Sequence, residues 1–324
     1  MPPVSDTLLT DELAPWFVRT AAAVFGALWG SFFNVVIYRW PREISVVFPA
    51  SHCPACQARI PARHNIPILS YLLLRGRAAC CGARLSMRYP LVEVLAAILA
   101  LAVAERFIVR SPWQVELLPA LLVALCFFAF VGGLLVAAFI DMECMEIPDE
   151  IALPGAALGL ATATFRPWPS AAEIAFGAGV GFLLVQVLFV WGYEKLTGRR
   201  GMGEGDAKLL MMIGAFVGWQ GVLFSLFAGA TQGVIVALGL LMAGRSPTPT
   251  GSDDRPSRDA TRGIQLAPAE PLDTHEEAPG PRSEPPPRYA GHLKVPFGPF
   301  LSLAAIEYLF FGEAVLEVYW GLFR

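Results

Sequence analysis

The stretch FAFVGGLLVAAFID, residues 128–141, and the stretch GMGEGDAKLLMMIGAFVGW, residues 201–219, decide how this chain folds. Each is an apolar run with an aspartate at one end: Asp141 closes the first and Asp206 opens the second. Runs of this kind match the roughly 20 apolar residues that cross a bilayer. A carboxylate at a membrane boundary is costly to bury and is a functional hypothesis by default. The plain alternative is that each acid merely ends a helix in the headgroup zone. Two such acids able to meet would share a proton, as a catalytic dyad does.

Composition agrees with a membrane assignment. The chain has 324 residues, 55% hydrophobic and 16% charged, with a mean hydropathy of +0.55. A soluble domain carries about 25% charged residues. The net charge of −3 says little about partners, and no basic, aromatic-rich patch for nucleic acid is present. The expected fold is an all-α polytopic bundle with about eight transmembrane helices and a small cytoplasmic Cys-containing domain. The spans fall near 17–38, 89–109, 115–140, 150–166, 172–193, 207–220, 222–243 and 297–320.

Charge sets the orientation. Residues 1–16 carry Asp6, Asp11 and Glu12 and no basic residue, unlike a cleavable signal. Between Arg39 and Arg88 stand eight arginines against the single acid Glu43. The positive-inside rule places that loop in the cytoplasm and the N-terminus outside. Alternation of spans then brings Asp141 and Asp206 to the same, cytoplasmic, face.

The expected organisation has five parts: a periplasmic N-terminus and first span over 1–40; a cytoplasmic Cys-containing domain over 41–88; a transmembrane core over 89–244 that carries both aspartates; a disordered cytoplasmic insertion over 245–290; and a last span over 291–324. The insertion, RSPTPTGSDDRPSRDATRG and onward, is rich in Pro, Ser and both charge signs and lacks aliphatic clusters. The 41–88 segment is too polar for an unaided core, and inside the cell a metal is a better staple than a disulfide.

Gly201, Gly203 and Gly205 alternate before Asp206, where they would admit an extended peptide backbone. They form neither a dinucleotide fingerprint nor a P-loop. A glycine-rich turn before a helix, with Asp206 favoured by the macrodipole, explains them equally well. Asp141 lacks such a structural role, because an anion at a helix C-terminus opposes the macrodipole. Asp149 and Glu150, after Pro148, are well placed to begin the next helix.

These motifs together resemble the bacterial type IV prepilin peptidases, membrane aspartyl proteases with a GxGD motif. GSFFNVVIYRWP (30–41), CPAC (53–56), NIPILSYLLLRGR (65–77), MRYPLVEVL (87–95), IDMECMEIPDEI (140–151) and VPFGPFLSLAA (295–305) carry the resemblance with GMGEGDAKLL. It implies leader cleavage after glycine in prepilins and pseudopilins at the cytoplasmic face of the inner membrane. It also implies N-methylation of the new terminus, usually Phe, from S-adenosylmethionine. Asp141 and Asp206 carry over as the catalytic pair, with Gly203, Gly205, Asp149 and Lys208 in support.

The cysteines depart from the family's two CxxC pairs. Cys53 and Cys56 are intact, but aligned on its flanks the second pair reads Ala78 and Cys81, with Cys80 extra. Structural zinc on Cys53, Cys56, Cys81 and Cys80 is the expectation, with His52 and His64 as substitutes and a metal-free loop as the alternative. No soluble-type cofactor fingerprint is visible. Candidate cofactor contacts are Arg88 and Glu93, near Asn34, with a structural ion pair from Glu93 to Arg88 or Arg84 as the competing reading. A peptidase without methylation, a proton-coupled transporter and a structural assembly factor are the other function classes. A transporter would place its acids at the midplane on broken helices. The sequence gives neither the particular pilins nor the oligomeric state.

Overall fold

The computed structural model describes residues 14–48, 51–53, 55–61, 64–111, 116–166, 168–198, 202–243 and 296–321. The expected insertion at 245–290 lies outside the described residues. Residues 1–236 and 296–324 form one compact unit; of the other, 237–295, only the end of a helix is described.

The helices are α1 (Pro15–Arg39), α2 (Leu69–Leu73), α3 (Arg88–Ala104), α4 (Leu117–Cys144), α5 (Asp149–Ala161), α6 (Ala171–Thr197), α7 (Glu204–Met242) and α8 (Gly298–Gly321). A short 3₁₀ turn, Trp40–Arg42, follows α1, and Glu105–Val109 prolong α3 as a π-helical turn. No sheet is present among the described residues; two isolated bridges, His52 with Arg59 and Arg77 with Arg84, are the sole β-type pairings.

Among the described residues, four helices are long and apolar enough to cross a membrane: Pro15–Arg42, Leu117–Cys144, Ala171–Thr197 and Glu204–Met242. Eight were expected, and the difference has physical causes. The segment expected at 89–109 is helical but carries Glu93, Glu105 and Arg106. The segment at 150–166 contains α5, whose 13 residues rise only ~20 Å. The two expected at 207–220 and 222–243 join in α7. The last is α8, 24 residues long, of which Gly298–Gly312 are apolar.

α7 is two helical runs. Gly218 sits between them with φ 73° and ψ −176°, a left-handed-side conformation that glycine adopts without cost. Beyond it the chain turns back along α8: Gly221 lies against Tyr308, and Gly229 against Phe300 and Leu301. The free end of the first run is sealed by Arg166. Its buried guanidinium donates to the carbonyls of Gly159 (2.6 Å), Ala215 (2.8 Å) and Phe216 (3.2 Å). It also lies over the rings of Phe127 and Phe216, at 5.4 and 4.8 Å.

Without a hydrophobic force between helices in lipid, small residues let backbones approach. A Cβ on Gly177 of α6 would stand 2.8 Å from the Gly214 carbonyl of α7, and one on Gly30 of α1 would stand 2.7 Å from the Glu93 Cα of α3. The core between them is aromatic: Phe107 stacks on Phe127 and Phe130 on Phe216, each pair at 4.3 Å.

Candidate active site

Asp141 and Asp206 line one cavity of about 450 Å³ and are close enough to interact electrostatically. Both are buried, 6% and 8% exposed, at the end of α4 and the start of α7. Each is anchored by a backbone N–H. Gly298 donates to Asp141 Oδ2 at 2.9 Å and Gly203 donates to Asp206 Oδ2 at 3.3 Å. The first of these contacts joins residues 157 positions apart in sequence.

Local sequence explains the geometry. After Asp141 the chain leaves α4 through Met145, in the left-handed region at φ 55°, whose N–H returns to the Asp141 carbonyl at 2.8 Å. It then passes Ile147 and Pro148 before α5 begins at Asp149. Ile147 fills the space between the two arms of the site. A Cβ on Gly205 would stand 3.0 Å from Ile147 Cβ, and one on Gly298 would stand 3.2 Å from Ile147 Cδ1. The same Gly298 Cβ would stand 2.7 Å from Asp141 Oδ2. Glycine is therefore required here by proximity to the carboxylate.

Asp149 does not cap α5 with its side chain. It takes both oxygens to Lys208 Nζ, at 2.7 and 2.6 Å, tying the start of α5 to the first turns of α7. Glu146, Glu150, Glu204 and Trp40 complete the cavity. Sequence reasoning had not singled out Gly298, Ile147 or Trp40 as site residues. The VPFGPF motif was the available signal for Gly298.

The cysteine segment consists of two hydrogen-bonded turns built alike, 25 positions apart. In the first, Cys53 N–H donates to Ala58 and Gln57 N–H to Cys53; in the second, Ala78 N–H donates to Ala83 and Gly82 N–H to Ala78. Gln57 and Gly82 both have positive φ, 59° and 71°. Cys53 thus corresponds to Ala78, and Cys56 to Cys81. Cys80 supplies the sulfur that Ala78 lacks. All four Sγ atoms lie within 4.8 Å of one another, with Cys53 to Cys81 at 3.7 Å and Cys56 to Cys80 at 3.3 Å. A tetrahedral zinc with Zn–S bonds near 2.3 Å sets sulfurs roughly 3.8 Å apart, so the set fits that ion. Backbone N–H groups of Cys56 and Ala55 draw the Cys53 thiol down to about 7. The bond to Cys56 is the first cause that pushes Cys80 up to about 12. His52 and His64 are not in the sulfur cluster.

A second cavity, about 400 Å³, lies between α1, α3 and the cysteine segment. Asn34, Tyr38, Arg39, Tyr71, Tyr89 and Glu93 face it. Glu93 accepts the Ile68 N–H at 2.7 Å. The ion pair considered for it is not what forms: Arg88 pairs with Glu143 of α4 instead.

Two family descriptions match the chain. Residues 24–107 match the bacterial peptidase A24 N-terminal domain, and residues 128–238 match the type IV leader peptidase family. A prepilin leader peptidase/N-methyltransferase of Pseudomonas putida is 38% identical over 71% of this chain and 83% of its own length. The chain belongs to the type IV leader peptidase family. Another relative with that description, from Myxococcus xanthus, is 35% identical over 96% of both chains. A third, from Aeromonas hydrophila, is 35% identical over 70% of this chain and 83% of its own. No solved structure gives a significant match. The sequence resemblance to prepilin peptidases agrees with these findings.

Proposed function

We propose that this protein is a prepilin leader peptidase and N-methyltransferase whose peptidase centre is the Asp141–Asp206 pair. The observation that carries the reading is the shared cavity with two buried carboxylates, each anchored through one oxygen to a glycine N–H. A water held between them attacks the scissile carbonyl. One carboxylate takes the proton of that water; the other, protonated, donates to the carbonyl oxygen. The tetrahedral intermediate then collapses with the C–N bond broken and a proton delivered to the leaving amine. The pair titrates as a unit, so the acid and base roles belong to the pair. Gly203 and Gly205 admit the substrate backbone, while Asp149 and Lys208 hold the elements that carry the pair.

The carboxylates of Glu146, Glu150 and Glu204 make the cavity strongly acidic. Such a surface favours the basic leader of prepilins and pseudopilins by complementarity.

The topology that accommodates this chemistry has eight crossings in a bacterial inner membrane, with the N-terminus outside. Two crossings come from α7, which turns back at Gly218, and the charged α3 and short α5 supply two more. The start of α8, the end of α4 and the start of α7 meet at Asp141 and Asp206, which this topology sets at the cytoplasmic face. The five-part division of the chain follows the same plan. Zinc on Cys53, Cys56, Cys80 and Cys81 stabilises the cytoplasmic segment.

The second activity requires a methyl donor, and S-adenosylmethionine supplies an electrophilic methyl group to the amine that cleavage exposes. Of the two candidate contacts, Glu93 faces the second cavity, whereas Arg88 is engaged with Glu143.

The test is cleavage of a prepilin from the same genome in membranes, with mass spectrometry of the new N-terminus. Asp141→Asn and Asp206→Asn should each lower cleavage by about 10³-fold or more, the scale of lost acid–base catalysis. Normal cleavage by either variant would remove that residue from the mechanism.

A further inference from the structure

We propose that residues 66–74 dip into the cytoplasmic leaflet of the membrane, with Leu69, Leu72 and Leu73 among the acyl chains and the arginines that follow them on anionic phospholipid headgroups. The inference rests on the inner-membrane topology proposed above. It concerns a segment that charge alone had placed wholly in the cytoplasm.

Hydrogen bonds and close packing fix the depth. Asn34 of α1 donates to the Tyr89 carbonyl at the start of α3, at 2.9 Å. Deeper in the bundle, Gly30 of α1 packs on Glu93 of α3. The second level is four residues farther along each helix, or ~6 Å. The Ile68 N–H donates to Glu93 Oε2 at 2.7 Å. A helical side chain leans toward the N-terminus of its helix, here toward the headgroups, so Ile68 lies between the two levels. α2 begins at the next residue. Interfacial helices sink ~5–10 Å into the headgroup–acyl boundary, and α2 is placed for that depth. The spanning helices present apolar side chains there: Leu28 and Phe32 of α1 and Leu91 and Ile98 of α3 are exposed.

The two faces of α2 agree with this placement. Ser70, Tyr71 and Leu74 face the cavity beside α1 and α3. Leu69, Leu72 and Leu73 point outward, 48%, 64% and 73% exposed. Three outward leucines on five residues are costly in water and cost nothing among acyl chains. Irregular backbone at membrane depth must have its polar groups satisfied. Here the Ile66 N–H donates to Ser70 Oγ at 3.0 Å, the Ile68 N–H to Glu93, and the Leu72 N–H to the Ile68 carbonyl at 3.1 Å. Ile68 has φ 62°, a costly conformation for a β-branched residue, and its surroundings must hold it there. Glu93 is thus a positioning residue for the dip, and the dip supplies the partner that an intramembrane acid requires.

Charge selects the occupant of the outer face. Arg75, Arg77 and Arg84, all exposed, follow α2, and Glu43 is the sole acid between Arg39 and Arg88. Anionic lipids of the cytoplasmic leaflet attract such a flank. The basic leader of a prepilin is repelled by it.

The experiment uses the full chain in nanodiscs of equal parts phosphatidylglycerol and phosphatidylcholine. A benzophenone amino acid replaces Leu72, Ile98 or Ala58 in separate samples, and mass spectrometry identifies the ultraviolet adducts. Ala58 is exposed on the first cysteine turn. The expected result is lipid adducts at Leu72 and Ile98, few at Ala58, and an excess of phosphatidylglycerol over its half share at Leu72. Lipid at Ile98 with none at Leu72 overturns the dip and leaves the spanning topology intact; no lipid at Ile98 overturns both. Equal yields at Leu72 and Ala58 overturn the selective insertion, and equal shares of the two lipids overturn the role of the arginines. Adducts at Leu72 that pass from lipid to added prepilin assign the face to substrate instead. Glu93→Ala should quicken amide exchange across 66–74 about tenfold or more, and Glu93→Gln, which keeps an acceptor oxygen, should restore it. Unchanged exchange in Glu93→Ala overturns the positioning role; if that variant fails to fold, the adducts at Leu72 decide.

Discussion

Replacing Gly298 by alanine tests the site at its tightest point. The added Cβ would stand 2.7 Å from Asp141 Oδ2 and 3.2 Å from both Asp141 Cγ and Ile147 Cδ1, whereas ordinary contact begins at 3.4 Å. Relief requires the carboxylate to retreat by about 0.7 Å, the difference between 3.4 and 2.7 Å. The N–H that holds it at 2.9 Å stays in place, so retreat also stretches that bond. A misplacement near 1 Å costs about 10²-fold in rate. We expect kcat/KM for prepilin cleavage to fall roughly 10- to 100-fold, or about 1.4–2.7 kcal/mol of transition-state stabilisation. Overpacking also costs about 1–3 kcal/mol of stability, so thermal unfolding is followed alongside. Gly179→Ala is the control, because a Cβ there meets nothing within 4 Å. Wild-type cleavage by Gly298→Ala would refute the role given to this contact.

The cysteine cluster should hold about one zinc per chain by metal analysis, and Cys80→Ser should lose most of it. Adding Ala78→Cys to that variant should restore the metal, because Ala78 occupies the place in the second turn that Cys53 occupies in the first; failure of restoration would refute the correspondence. Arg166→Met removes donors from three buried carbonyls at about 1–3 kcal/mol each, so a loss of ~3 kcal/mol or more is expected. A distinct drop in melting temperature, partly recovered by Arg166→Lys, is the readout, and an unchanged melting temperature would sink the argument.

The aspartates were legible in the sequence because each ends an apolar run, and Asp141 does so at a helix C-terminus, where the macrodipole opposes an anion. Charge asymmetry and alternation led to the expectation that both lie on one face; that they line one cavity is a finding of the structure. Gly298 was not legible, since its contribution is a backbone N–H and an absent side chain, 157 positions from its partner. The span count suffered from the opposite problem. Hydropathy separates 207–220 from 222–243 three residues past Gly218, the glycine that turns the chain, while the backbone remains helical on both sides of it. Glu93 was recognised as an acid in need of a partner, but helical spacing offered Arg88, which α4 claims through Glu143. Spacing along one helix does not count competitors on the next. The extra Cys80 was readable; the near-identity of the two turns around it was not, because their sequences share little besides the hydrogen-bond pattern.

The last turn of α1 borders two chambers at once. Tyr38 and Arg39 face the cavity beside Glu93, and the next residue, Trp40, faces the cavity of the aspartates. Both cavities thus share a wall element, the 38–40 segment, so a substitution at Trp40 alters the aspartate cavity directly beside a residue that faces the other.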